Sequence, residues 1–128
     1  MEVKLKHIAL EVRESDINAF YVEILGGKIL SGFVMKEVDA DIVFNIKRKV
    51  KVCYVSLYEI EFELFVNEKK ECNGIQHICL EMGDAEHVYK SALQQSYWCH
   101  LRTSGQGEAY FIKDANGNMF EIKVYRNE

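Results

Sequence analysis

The chain contains no proline in 128 residues, where ordinary usage of about 5% would give about six, so none of its turns rests on a proline-fixed φ. Paired cysteine motifs are missing as well. Cys53, Cys72, Cys79 and Cys99 form no CxxC pair, which excludes a zinc knuckle, and they lack the density of a small secreted scaffold, so a reduced, cytoplasmic protein is expected. Positive charge is not in excess. With 16 Lys and Arg against 20 Asp and Glu the net charge is −4, which leaves no basic face to neutralise a run of phosphates and argues against nucleic acid as a partner. Long apolar runs are missing too. Ala19 to Val22, Val52 to Val55 and Ala109 to Ile112 stop at four residues each, against about 20 for a spanning helix, so neither a membrane span nor a signal peptide is expected.

What is present is ordinary in amount, 48% hydrophobic and 28% charged, and fits one compact domain. It is arranged twice. His7-Ile8-Ala9-Leu10-Glu11-Val12 is answered by His77-Ile78-Cys79-Leu80-Glu81-Met82, and Phe62-Glu63-Leu64 by Phe120-Glu121-Ile122. Each half therefore opens on a histidine strand and closes on a glutamate strand. His7 precedes Glu63 by 56 positions and His77 precedes Glu121 by 44, which places an insertion of about twelve residues in the first half, between Met35 and Lys49. The first half spans about residues 1–68 and the second about 74–128.

Local signals fill in each half. Ser15 or Asp16 is expected to cap a helix carrying Ile17, Phe20, Ile24 and Leu25 and ending at Gly26-Gly27. Asp84 is expected to cap a second helix, with Val88, Ala92 and Leu93 inward and an end near Gln95. Stretches rich in β-branched and aromatic residues, at 28–38, 50–58, 97–101 and 108–113, predict strands. The turn Asp114-Ala115-Asn116-Gly117 leads into the last one. The segment from Glu37 to Arg48 reads as a strand or a long loop. The sum is an α+β chain of two tandem βαβββ modules.

Side chains alternate faces along a strand, and that sorts the chemistry. Ile8, Leu10 and Val12 oppose Val3, Leu5, His7, Ala9 and Glu11; Ile60, Phe62, Leu64 and Val66 oppose Glu59, Glu61, Glu63 and Phe65. In the second half Ile78, Leu80 and Met82 oppose His77, Cys79 and Glu81, and Phe120, Ile122 and Val124 oppose Glu121, Lys123 and Tyr125. If the apolar faces cover the helices, then His7, Glu63, His77 and Glu121 lie together on the other side. Val3, Leu5, Ala9, Cys79 and Phe65 among them predict a partly enclosed face. Carboxylates there need a compensating cation, and a divalent metal held by two imidazoles and two carboxylates meets that need. The donor set suits nickel, zinc, cobalt, manganese or iron(II) and leaves two positions open in an octahedron. For Glu63 the competing reading is a solvated acidic stripe with Glu59 and Glu61. His87 and His100 read as surface residues, Tyr97, Trp98, Tyr110 and Phe111 as strand packing, and Arg102 as a solvated arginine with contact to an anionic substrate as its alternative.

These residues resemble the vicinal-oxygen-chelate superfamily, which includes glyoxalase I, methylmalonyl-CoA epimerase, extradiol dioxygenases and fosfomycin or bleomycin resistance proteins. The matching pieces are His7-Ile8-Ala9-Leu10, Phe20-Tyr21 with Leu25-Gly26-Gly27, Phe62-Glu63-Leu64, Gly74-Ile75-Gln76-His77-Ile78 and the run from Tyr110 to Glu121, with Ala115 where the family usually has proline. The resemblance implies a curved, U-shaped sheet around one divalent metal ligated by His7, Glu63, His77 and Glu121, and a homodimer. It implies a glyoxalase-like lyase or isomerase that shifts a proton on a small substrate with two adjacent oxygens, through a metal-stabilised enediolate or enolate, with Glu121 or Glu63 as the base. Where glyoxalases I carry an arginine four residues after the first ligand, this chain has Glu11, with Arg13 two residues on; the short link from Glu63 to His77 also differs. Both departures argue against a glutathione-derived or acyl-CoA substrate. The alternatives are an epimerase, an iron(II) dioxygenase using His7, His77 and Glu121, and a non-catalytic binding protein of the bleomycin-resistance kind.

Overall fold

The computed structural model describes residues 1–125; the expected end of the second module, at residue 128, lies outside them. Two compact units follow one another, Met1–Lys70 and one that begins at Glu71. The first contains β1 (Ile8–Val12), a short α1 (Glu14–Asp16) that continues as a π-helix (Ile17–Val22), β2 (Lys28–Met35), α2 (Glu37–Phe44), β3 (Val50–Leu57) and β4 (Ile60–Val66). The second contains β5 (His77–Met82), α3 (Ala85–Gln94), β6 (Cys99–Ser104), β7 (Gly107–Lys113) and β8 (Met119–Val124). Each builds a four-stranded mixed sheet, in the orders β1-β4-β3-β2 and β5-β8-β7-β6. The first and last strands of each unit pair in parallel and the remaining pairs are antiparallel. The tandem α+β architecture is the one that the duplicated motifs predict.

The register repeats as well. Ile8 lies opposite Phe62 in the first sheet and Ile78 opposite Phe120 in the second. The apolar faces are buried as alternation requires, except at Val124, which is exposed at the end of β8. Val12, Phe20, Tyr21, Leu25, Phe62 and Leu64 are almost wholly covered in the first unit, as are Val88, Ala92, Ile112, Phe120 and Ile122 in the second. Gly26 ends the first helix at φ +84°, the left-handed stop that glycine adopts without strain. Behind it Gly27 leaves no room for a side chain, since a Cβ there would lie 2.6 Å from the Tyr21 carbonyl oxygen.

Several local expectations fail, each for a tertiary reason. Arg13, not Ser15 or Asp16, stands before the first helix, and the Glu14 N–H donates to the Glu68 side chain at 3.0 Å. A carboxylate distant in sequence thus does the work expected of a local cap. Asp84 stands where expected but makes no side-chain cap bond. The first helix also widens: Glu23 N–H reaches the Asn18 carbonyl and Leu25 N–H the Phe20 carbonyl, five residues back, the π pattern. Leu93 is exposed, because Val88 and Ala92 occupy the inward face of α3.

The segment Glu37–Phe44 is neither strand nor loop but helix α2, closed by Asn45 in the left-handed conformation. Ala40 on this helix is fully buried against Val50, Val52 and Phe65, and Phe44 meets Phe65 edge to face at 5.3 Å. Packing on Phe65 overrides the β-branched composition.

Candidate metal centre

The parallel strand pairs position the four predicted ligands. Glu63 on β4 faces Ala9 on β1, and Glu121 on β8 faces Cys79 on β5. Each histidine lies two residues before the partner of its glutamate, on the same face. His7 Nε2 is 3.5 Å from Glu63 Oε1 and His77 Nε2 is 3.1 Å from Glu121 Oε1. The carboxylates are the more covered members, with side chains 12% and 15% exposed against 35% and 37% for the imidazoles. Each unit thus presents one half-open imidazole against one sheltered carboxylate, which is one half of the predicted donor set. Among the described residues no three His, Cys, Asp or Glu side chains gather tightly enough to hold an ion, so the pair is the repeating element.

The donor chemistry fits a cation. His77 Nδ1 lies 2.8 Å from the Ile75 carbonyl oxygen, an acceptor only, so Nδ1 carries the proton. In the neutral ring Nε2 is then a lone pair aimed at the Glu121 carboxylate. Two acceptors face each other, and the conflict is relieved by a positive charge between them, a proton or a metal ion. A carbonyl that fixes the tautomer in this way is the usual outer partner of a metal-binding imidazole.

The surroundings of the two carboxylates differ. Tyr54, opposite Glu63 on β3, has its phenol pushed above the ordinary value by its hydrogen bond to Glu63 first, and by burial and the acidic neighbours after that. Phe111 takes the corresponding place opposite Glu121 and offers no hydroxyl. Glu121 instead has Lys123 Nζ at 3.7 Å. The Cys79 thiol, which shares Glu121's face, is pushed up by desolvation and then by Glu121, so it remains a neutral thiol rather than a nucleophile.

Some expectations about this face do not hold. Val3 and Leu5 precede the first strand and are exposed, and Ala9 and Cys79 are open rather than enclosed. Phe65 does lie on Glu63's face, and α2 covers it. The inserted helix, not a ring of strand residues, therefore encloses that end of the first sheet. Tyr54 and His100 were not singled out by sequence as site neighbours. His100 shares a row with Phe111 and Glu121, and the alternation rule reaches it once the Ser104–Gly107 hairpin fixes the register.

No family model matches the chain, and no curated protein matches it. Its fold does match solved structures. A fosfomycin resistance protein, FosX, from Listeria monocytogenes superposes with a TM-score of 0.75 at 15% identity, covering 98% of this chain and 96% of that one. FosX from Mesorhizobium loti gives 0.69 at 13%, covering 98% and 94%. A glyoxalase family protein from Enterococcus faecalis gives 0.67 at 21%, covering 93% and 95%. These neighbours belong to the vicinal-oxygen-chelate superfamily, and the chain has their fold. A mutant of the Listeria protein was crystallised with Mn(II) and 1S,2S-dihydroxypropylphosphonic acid. No helix among the described residues is long and apolar enough to cross a membrane.

Proposed function

We propose that the chain is a divalent-metal-dependent enzyme of the glyoxalase type, a lyase or isomerase that moves a proton on a small substrate carrying two adjacent oxygens. The observation that carries the reading is the repeated pair, His7 with Glu63 and His77 with Glu121, at one register in two sheets. One pair of each kind would hold the ion, nickel, zinc, cobalt, manganese or iron(II), and the Mn(II) in the Listeria neighbour favours manganese for the first trial. When bound, such an ion supplies Lewis-acid stabilisation of negative charge on substrate oxygen. The working form is a homodimer, to be tested by the solution mass.

The chain's own residues divide the remaining work. Ile75 orients the His77 ring, so that Nε2 is the donor. Glu63, held by His7 and by the Tyr54 hydroxyl, is a fixed ligand. Glu121 lacks a phenol partner and is the base, accepting the substrate proton on a carboxylate oxygen and returning it to the neighbouring carbon. The test is solvent-deuterium exchange into α-hydroxy ketone and α-ketoaldehyde adducts by the Mn(II)-loaded protein. Exchange that disappears in Glu121→Gln supports the reading, and undiminished exchange in that variant overturns the assignment of the base.

A second reading rests on the phosphonate crystallised with the Listeria neighbour: action on a small phosphonate, with Glu121 activating a water. Phosphorus NMR of fosfomycin incubated with the loaded protein separates the two, because formation of dihydroxypropylphosphonic acid belongs only to this one.

A further inference from the structure

Two Asn-Gly steps occur in the chain, Asn73-Gly74 and Asn116-Gly117. This dipeptide is chemically labile, because glycine puts no side chain in the way when its amide nitrogen approaches the side-chain carbonyl of the preceding asparagine. The other asparagines among the described residues, Asn18, Asn45, Asn67 and Asn118, each precede a residue with a side chain. Folding then decides whether each glycine nitrogen is free to react.

The two steps lie in one unit and receive opposite treatment. Asn116 is 3% exposed, and its own N–H donates to Asp114 Oδ1 at 3.1 Å. The Gly117 N–H, the group that would have to attack, donates to the Asp114 carbonyl at 3.0 Å. Asn73 and Gly74, by contrast, are exposed and lie outside any helix or strand. Neither makes a hydrogen bond or ion pair with another described residue. Beyond the chain neighbours, no atom lies within 4 Å of where a Gly74 Cβ would stand.

The place of this step in the chain gives it a consequence. Upstream, the Cys72 N–H is anchored on the Asn116 carbonyl at 2.7 Å. Downstream, the Ile75 carbonyl holds His77 Nδ1 at 2.8 Å. Asn73 and Gly74 lie between those two fixed points, so a change in main-chain length there is passed on to the Ile75 carbonyl.

The structure assigns Asn73-Gly74 as a site of spontaneous modification, where the asparagine converts to isoaspartate and the lengthened main chain draws the Ile75 carbonyl away from His77. The Gly74 nitrogen attacks Asn73 Cγ, an N–C bond forms, and the side-chain amide leaves as ammonia, carrying the Gly74 proton. Water then opens the cyclic imide. Opening at Cγ gives Asp; opening at the Asn73 main-chain carbonyl carbon gives isoaspartate, in which the chain runs through Cβ and Cγ and is a methylene longer. Either product adds a negative charge, but only isoaspartate changes the path of the chain. Loss of the Ile75 contact frees the His77 ring to turn and to exchange tautomers. The modification does not depend on the function proposed above, whereas its effect on metal binding does.

The full chain is incubated at mildly alkaline pH and body temperature, digested, and read by mass spectrometry with electron-transfer fragmentation, which separates isoaspartate from Asp. Asn73 is expected to convert at least about tenfold faster than Asn116, which reacts only through local opening. Equal rates, or an intact Asn73 over the time in which an unstructured peptide of residues 71–76 converts, overturn the site. In the aged chain the nitrogen-15 pattern of the His77 ring should lose its single Nδ1–H tautomer, and Mn(II) affinity should fall about 10- to 100-fold. Asn73→Gln, which closes the imide far less readily, should keep both through the same incubation. Freshly purified Asn73→Asp, with the charge but not the added methylene, should match the fresh chain. An aged chain with an unchanged His77 spectrum, or Asn73→Asp behaving like the aged chain, overturns the link to the ring. The His77 spectrum is recorded without metal, so a fresh chain that fails to bind Mn(II) counts against the metal centre alone.

Discussion

Glu63 and Glu121 stand at one position of two sheets, each opposite the second residue after its histidine, Ala9 in one and Cys79 in the other. Two short parallel pairs thereby bring donors 56 and 44 positions apart in sequence within reach of each other. The same register gives the two carboxylates different companions, and the unequal roles proposed for them rest on that difference.

Glu121→Gln should reduce proton exchange by about 10²- to 10⁴-fold, the range for loss of a positioned general base. Because it keeps one acceptor oxygen, Mn(II) binding should weaken only by about tenfold, or about 1.4 kcal/mol. Glu63→Gln should weaken Mn(II) binding to a similar degree while leaving more of the exchange. Manganese EPR titration beside deuterium exchange measures both, and equal losses in the two variants would remove the distinction.

Exchange of the companions tests the same asymmetry. In Tyr54→Phe the first sheet copies the second, and loss of the hydroxyl should cost about 1 kcal/mol of stability, the usual worth of such a bond. The Tyr54 phenol titrates above its ordinary value because of Glu63. Glu63→Gln should therefore bring that titration down toward 10, followed by ultraviolet difference spectra with Tyr54→Phe to identify the step.

Tyr110 gives a pH signature away from the site. Its hydroxyl donates to Glu108 at 2.6 Å, and that bond, followed by burial and the nearby negative charge of Glu108, pushes the phenol up to about 12. A pKa raised by folding means that the folded chain holds the proton more tightly than the unfolded one. The resulting stability is fully present below pH about 10 and is lost as pH rises through the folded value. Urea midpoints should decline over that window, and Glu108→Gln should make the decline smaller and end it at lower pH.

Gly117→Ala probes the turn before β8. Gly117 has φ +92°, and a Cβ there would lie 2.5 Å from the Cys72 carbonyl oxygen. The turn is otherwise tied by Asp114, whose carboxylate accepts from the Asn116 and Asn118 N–H groups. Strain and clash together should destabilise the second unit by more than about 1 kcal/mol. Chemical denaturation measures the loss, and a neutral result would contradict the close approach.

Much of the fold could be read along the chain because strand alternation is local. The apolar faces of β4 and β8, the two histidine strands and the Gly26 stop follow from residue order alone. Helix α2 did not, since Val38, Ile42 and Val43 favour strand until Phe65 offers Ala40 and Phe44 a surface. The cap supplied by Glu68 was hidden for the same reason: it lies 54 positions from Glu14.

Sequence by itself determined that the chain is built twice and which face of each strand carries an imidazole or a carboxylate, because a period of two and a duplicated motif need no knowledge of partners. Tertiary structure alone decided which acid meets which imidazole, that a phenol attends Glu63 but not Glu121, and that helix α2 covers Phe65 on the first sheet. Those outcomes depend on register between strands distant along the chain, and register is fixed by packing of whole faces rather than by any neighbouring residue.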